Sequence, residues 1–234
     1  MVVRNTVKTT ALVTPTTIPT PVNTTVMHNV NLVHVTPDAE KLIAFMARVS
    51  NPKNQDNPSY TRLIKYLITH KHWSPFEMVN MCVEINTTRS VAAQILRHRS
   101  FSFQEFSQRY AEVSGVPHLP QLREQDTVNR QNSTDTLDDY VKDALTDEID
   151  AHFEESMRLY NRLLKNGVAK ECAREVLPLA APTKMFMNGT LRSWLHYCDL
   201  RCGNGTQYEH KLIADEVKLL IAKEFPAVFA AMWS

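Results

Sequence analysis

Residues 94–110 read QILRHRSFSFQEFSQRY. Arg97, His98 and Arg99 set three potential cations side by side. Gln94 precedes them, and Glu105, Ser107, Gln108 and Arg109 follow, threaded through Phe101, Phe103 and Phe106. Guanidinium groups crowded together repel one another unless an anion lies between them. A phosphate or pyrophosphate answers that need through charge-assisted, often bidentate hydrogen bonds. Two plainer readings stand beside this one. The triplet also suits a solvated basic face or an ion-pair cluster with Glu105. Basic side chains alternating with aromatics would equally suit single-stranded nucleic acid, cation to phosphate and ring to base. The overall charge weighs against that last reading. With 26 Lys and Arg against 25 Asp and Glu, the formal net charge is +1, so an anion site must be local, and no nucleic-acid partner is expected.

Two further segments carry groups that could do chemistry. HKHWSPFE, residues 70–77, offers His70, His72, Ser74 and Glu77. The two histidines lack a nearby third ligand, so no metal is expected. REVLPLAAPTKMFMNGTLRSWLHYCDLR, residues 174–201, begins at Arg174 and ends at Arg201. Taken alone, an arginine closing a helix answers the negative end of the helix dipole. The cysteines (Cys82, Cys172, Cys198, Cys202) form no small-domain disulfide pattern. They read as reduced thiols, although Cys198 and Cys202 have helical i,i+4 spacing. None carries a flanking pattern that would mark it as a nucleophile.

The elements that must position these groups follow from periodicity. NVNLVHV (29–35) reads as a strand, and TPDAEKLIAFMARVS as a helix with Thr36 as N-cap and Pro37 at its first position. YTRLIKYLITHK reads as a second helix. MVNMCVEIN alternates with period two, Val79, Met81, Val83 and Ile85 on one face. A helix over 88–97 puts Gln94, Arg97 and His98 at i, i+3 and i+4, on one shared face. Residues 102–107 alternate as an extended run. A long amphipathic helix is expected from Ser133 to Lys165, stopped by Asn166-Gly167. Shorter elements follow: a helix ending at Pro178, a strand over TKMFMN, a helix over GTLRSWLHYCDLR, and a last helix ending before Pro226. Interspersed strands and helices make the class α+β, a mixed or antiparallel sheet flanked by helices. At 234 residues and 43% hydrophobic content the chain supports one full-sized domain.

Residues 1–28 are Thr/Pro-rich and aromatic-free, and read as an extended mobile tail preceding a folded domain over 29–234. The chain shows no apolar block of a secretory signal and no apolar run near the ~20 residues that span a bilayer. A cytoplasmic protein with no membrane partner is expected.

Arg-His-Arg, seven residues, then Ser, with Arg-Tyr two residues on, resembles the signature of the flavin-dependent thymidylate synthases (ThyX). HKHWSPFE resembles the same family's His-x-(Ser/Thr)-Pro-Phe-Glu element, and 174–201 resembles its C-terminal half-site. The likeness runs from about 29 to 231. It implies that Arg97, His98 and Arg99 hold FAD, with His72 and Ser74 close to it. Thr190, Leu191, Arg192 and His196 would line the flavin from the second half-site. Gln94, Glu105, Ser107, Gln108, Arg109 and Arg174 would bind dUMP, with Arg97 and Glu105 shared between nucleotide and cofactor. Arg201 would lie against the uracil ring and favour ionisation at N3, making it, with His72, the catalytic candidate. Thr190 and His196 stand where the family often has asparagine.

The reaction implied is reductive methylation of dUMP to dTMP. Methylenetetrahydrofolate gives the carbon, NADPH gives the electrons through FAD, and the family's state is a homotetramer with shared sites. Polarising the uracil with a fixed arginine would replace thiol attack on the ring, leaving the redox chemistry to the flavin. A hydroxymethylated pyrimidine nucleotide is the alternative product, since both outcomes need the same polarised uracil.

Overall fold

A computed structural model describes residues 28–117, 119 and 121–233. The tail expected over 1–28 therefore lies outside the described residues, apart from His28. Strands β1 (Asn29–Val35), β2 (Asn80–Thr88), β3 (Phe101–Glu105) and β6 (Pro182–Thr190) form one antiparallel sheet in the order β1-β2-β6-β3. A two-residue ladder joins β4 (Glu124–Gln125) to β5 (Ser133–Thr134). The helices are α1 (Ala39–Ala47), α2 (Thr61–Thr69), α3 (Arg89–Ile95), α4 (Asp139–Lys165), α5 (Lys170–Ala173), α6 (Leu191–Arg201), α7 (Tyr208–Glu224) and α8 (Pro226–Trp233).

The period-two pattern of β2 is realised as expected. Val79, Met81, Val83 and Ile85 are fully buried against Met185 and Met187 of β6, and α2, α6, α7 and α8 contribute Ile64, Trp194, Val217 and Val228 to the same core. The sheet expected as mixed or antiparallel is wholly antiparallel. Both β2 and β6 end on a threonine that caps the next helix. Thr88 Oγ1 accepts from Val91 N at 3.4 Å, and Thr190 Oγ1 accepts from Ser193 N at 3.3 Å. Each strand thus converts directly into α3 or α6, with no loop to blur where the helix side chains point.

Three local expectations need correction. Thr36 does not cap α1: its hydroxyl accepts from Asn80 N at 2.9 Å and donates to Asn80 O at 3.3 Å, tying the end of β1 to the start of β2. Asp38, in the left-handed region at φ 48°, makes the turn into the helix instead. The long helix begins at Asp139, not Ser133. Ser133 is claimed by the ladder with Gln125, and Asp138 caps α4 by accepting from Tyr140 N and Val141 N. Pro226 ends one helix and also opens α8, since proline costs nothing at a first helical position whose N–H would lack a partner anyway.

Candidate active site

The topology brings three separated segments to one end of the sheet. Asn80 opens β2 opposite Thr190, which closes β6, and Phe101 opens β3 opposite Gly189. The 3-10 turn Ser74–Glu77, the Arg97–Ser100 turn and the start of α6 must therefore meet. Glu77 pairs with Arg192, and Ser193 Oγ donates to Ser100 O at 3.3 Å. A cleft of roughly 580 Å³ opens between them, lined by Trp73, Glu77, Thr190, Arg192, Ser193 and His196 among others. Gly189 is required here. A Cβ at that position would lie 2.4 Å from Cδ1 of Phe101, whose ring packs against Trp194 at 4.6 Å.

The expected cofactor residues divide by exposure. Arg97, Arg99, Arg192 and His196 are exposed, and His72 and Ser74 are exposed on either side of Trp73. Among the described residues, Arg97 and Arg99 have no carboxylate partner. Leu191 departs from expectation: its side chain is fully buried in the core, and its main-chain N–H is spent on Val79 O at 2.9 Å. The reason is that the first residue after the Thr190 cap points back under the sheet.

Arg201 lies at the far end of α6, where its Nε donates to His98 Nε2 at 2.9 Å. That bond requires an unprotonated His98 Nε2. Burial, followed by the positive charges of Arg201, His196 and Arg97, pushes His98 down to about 4, so the imidazole is neutral at pH 7. His98 also meets Tyr197 edge-on at 5.0 Å and His210 at 6.1 Å. Fully buried His210 is pushed down to about 3 by burial, then by Arg201 and His98.

The expected nucleotide residues lie elsewhere. Ser107, Gln108 and Arg109 follow β3 at its other end, about 13 Å along the strand from the Phe101 turn. Arg109 pairs with Glu171 at 3.1 Å, and Arg174 with Glu175 at 3.3 Å. Gln108 is buried, and its Nε2 has no hydrogen-bond partner among the described residues. Glu105 is held by Arg89 and by Thr183 Oγ1, which donates to it at 3.0 Å. Gln94 stands at the Arg201 end, donating to Gln207 Oε1. One chain therefore brings the expected cofactor residues, Glu105 and Leu191 excepted, to the same end of the sheet as Gln94 and Arg201, and holds Glu105, Ser107–Arg109 and Arg174 apart.

Several groups at the site went unnoticed in the sequence. Trp73 forms a cleft wall, and Tyr197, Gln207, Glu209, His210 and Arg123 form a buried polar cluster beneath Gln94. The usable signal was QYEH at 207–210, polar residues in the first turn of a helix where the inward face should be apolar. The cysteines are free thiols, with Cys198 buried on α6 and Cys202 just past its end.

Comparison with known proteins agrees with the geometry. Residues 31–227 match the family model described as Thymidylate synthase complementing protein. A probable flavin-dependent thymidylate synthase of Paramecium bursaria Chlorella virus 1 is 52% identical over 195 residues, 83% of this chain and 90% of that protein. A flavin-dependent thymidylate synthase of Synechocystis is 50% identical over 193 residues, 82% and 89% of the two chains. Among solved structures, a UMP/dUMP methylase from Streptomyces cacaoi bound with 5-Br dUMP superposes with a TM-score of 0.78 at 27% identity, over 87% of this chain and 93% of that one. With the family model spanning most of the chain and relatives at half identity, this chain belongs to the flavin-dependent thymidylate synthase family.

Proposed function

We propose that this chain reductively methylates dUMP to dTMP, using methylenetetrahydrofolate as carbon donor and NADPH as reductant through FAD. The observation that carries the reading is the meeting of the 72–77, 97–100 and 190–201 segments around one cleft, in a chain half identical to named flavin-dependent thymidylate synthases.

The donor set fits FAD. Arg97 and Arg99 are exposed cations with no carboxylate partner among the described residues, suited to a pyrophosphate, and Trp73, Thr190 and His196 give the cleft an aromatic wall and polar groups. Arg97, His98, Arg99, Arg192, Thr190 and His196 would hold the cofactor, with His72 and Ser74 beside it. When bound, FAD supplies the hydride and the carbon-transfer chemistry.

The chain's own contribution is charge and orientation. Arg201 would present a fixed cation to the uracil and stabilise negative charge developing on the ring. Neutral His98 accepts from Arg201 Nε and so aims the guanidinium without competing with it for charge. Gln108, Ser107, Arg109 and Arg174 would take the nucleotide; Gln108 Nε2, without a hydrogen-bond partner among the described residues, is consistent with that reading. That set lies at the other end of β3, so on this reading a complete site would draw on a second copy of the chain; the homotetramer itself is what the family likeness implies. A cytoplasmic location accompanies this reading; among the described residues no helix is long and apolar enough to cross a membrane.

The test is the visible spectrum of the purified protein, then product analysis with dUMP, methylenetetrahydrofolate and NADPH. A yellow protein that releases dTMP is expected. A colourless one that binds no FAD and forms no dTMP overturns the proposal, and mass analysis separates methyl from hydroxymethyl product.

A further inference from the structure

Beneath Gln94 the chain buries a charged pair and a line of uncharged polar groups leading away from it. Arg123 Nη2 donates to Glu209 Oε1 at 2.8 Å, and Gln207 Nε2 donates to Glu209 Oε2 at 2.8 Å. Gln94 Nε2 donates to Gln207 Oε1. Beyond it, His210 Nδ1 lies 3.4 Å from Gln94 Oε1, and His210 Nε2 lies 3.1 Å from the Tyr197 hydroxyl. Side chains of Arg123 and Glu209 are 13% and 4% exposed, so water competes little for the bond between them, while Gln207 and Gln94 are half-buried.

An amide can be turned either way, and a neutral imidazole can carry its proton on either nitrogen. A carboxylate has no such choice, because it only accepts. Burial pushes the Glu209 carboxyl up, but hydrogen bonds from Gln207 and Arg123 outweigh it and hold the group below the ordinary range. Glu209 is therefore the one group in the line that sets a direction. Gln207 must turn its NH2 to Glu209 and its oxygen to Gln94. Gln94 must turn its NH2 to Gln207 and its oxygen to His210. His210 must carry its proton on Nδ1, leaving Nε2 to accept from Tyr197.

We propose that Glu209 is a positioning residue: it fixes the direction of every hydrogen bond from Gln207 to Tyr197, and so presents the Gln94 carboxamide to the uracil nucleotide in a single orientation. The proposal rests on the reading above that Gln94 contacts dUMP. Gln94 still has one N–H and one lone pair uncommitted, a donor and an acceptor side by side, and uracil bound with N3 still protonated presents complementary groups on its imide edge. Reversing the amide would set donor against donor.

Two substitutions test the logic. In Glu209→Gln, donor-only Arg123 demands the new amide's oxygen, so the amide nitrogen faces Gln207 and every bond beyond it reverses. The His210 proton moves from Nδ1 to Nε2. Adding Gln207→Glu returns a carboxylate to the line one place along and restores the original direction at Gln94. The readouts on full-length holoenzyme are the protonated nitrogen of His210, by 15N NMR of histidine-labelled protein, and steady-state kinetics. Wild type is expected to hold the proton on Nδ1. Glu209→Gln should move it and raise KM for dUMP about tenfold with kcat within about twofold. The double variant should bring both back. A purely structural ion pair would lower stability without moving the proton. An Nε2 proton in wild type overturns the proposal without any variant, as does an unmoved proton in Glu209→Gln. A moved proton with unchanged KM overturns it differently: it removes Gln94 from the nucleotide site, while continued dTMP release leaves the synthase activity standing.

Discussion

Gly189→Ala is a one-carbon change whose cost can be worked from the packing. Its Cβ would stand 2.4 Å and 2.6 Å from two carbons of the Phe101 ring, where ordinary contact begins at 3.4 Å. The ring must retreat by about 1 Å (3.4 minus 2.4), and the close side is closed to it. Trp194 packs against it at 4.6 Å, is itself fully buried, and is pinned by its Nε1, which donates to Met81 O at 2.9 Å. Overpacking of this kind costs about 1–3 kcal/mol. For a chain of this size each kcal/mol lowers Tm by about 2–4 °C, so a fall of roughly 2–12 °C is expected in thermal unfolding. The cause is isolated by a double-mutant cycle with Phe101→Ala. Without the ring, the same Gly189→Ala change should cost less than about 0.5 kcal/mol. Equal costs in both backgrounds would refute the reasoning, because the penalty would then belong to the glycine backbone and not to the ring above it.

His210 and His98 make the fold acid-sensitive: their folded values, about 3 and about 4, lie below the unfolded value, so their contribution is full above pH 6.5 and is lost as pH falls toward 3–4. For His210 the linkage amounts to about 2 kcal/mol between pH 7 and pH 5; urea unfolding across that range should show it, and pH-independent stability would contradict it. Arg97→Ala combined with Arg99→Ala should weaken FAD binding by about tenfold or more, read by flavin retention on gel filtration, with little change in unfolding of the apoprotein, since both side chains are exposed; full retention would remove them from the cofactor site. Arg201→Ala should lower dTMP formation by about a hundredfold or more and raise the His98 pKa, because a neighbouring cation is gone; wild-type turnover would refute its role.

The sheet was legible in the residues: Met81, Val83 and Ile85 announce β2 because a half-buried strand must alternate. Arg97-His98-Arg99 carries the expectation of an anion, and the proposed cofactor site rests on that reading together with the family likeness. What escaped was set by contacts distant in sequence. Thr36 has every mark of a helix cap, and loses that role because Asn80, 44 residues on, offers it two hydrogen bonds. Ser133 looks like the start of a helix until Gln125 pairs with it. The polar line under Gln94 draws on residues 94, 123, 197, 207, 209 and 210, and no local window contains them together. Leu191 was assigned to the flavin from the family likeness alone, and the strand-to-helix turn at Thr190 sends its side chain to the core instead.

The separation of Arg201 from Arg174 along β3 and β6 has a genetic consequence. A lesion at either arginine should disable every site built only from damaged copies. On the proposed sharing of sites between copies, the two defective chains, co-assembled, would each supply the end of the sheet that the other has spoiled, so some sites in a mixed assembly would be built entirely from intact parts. A cell carrying both alleles should then grow without added thymidine where neither allele alone permits it.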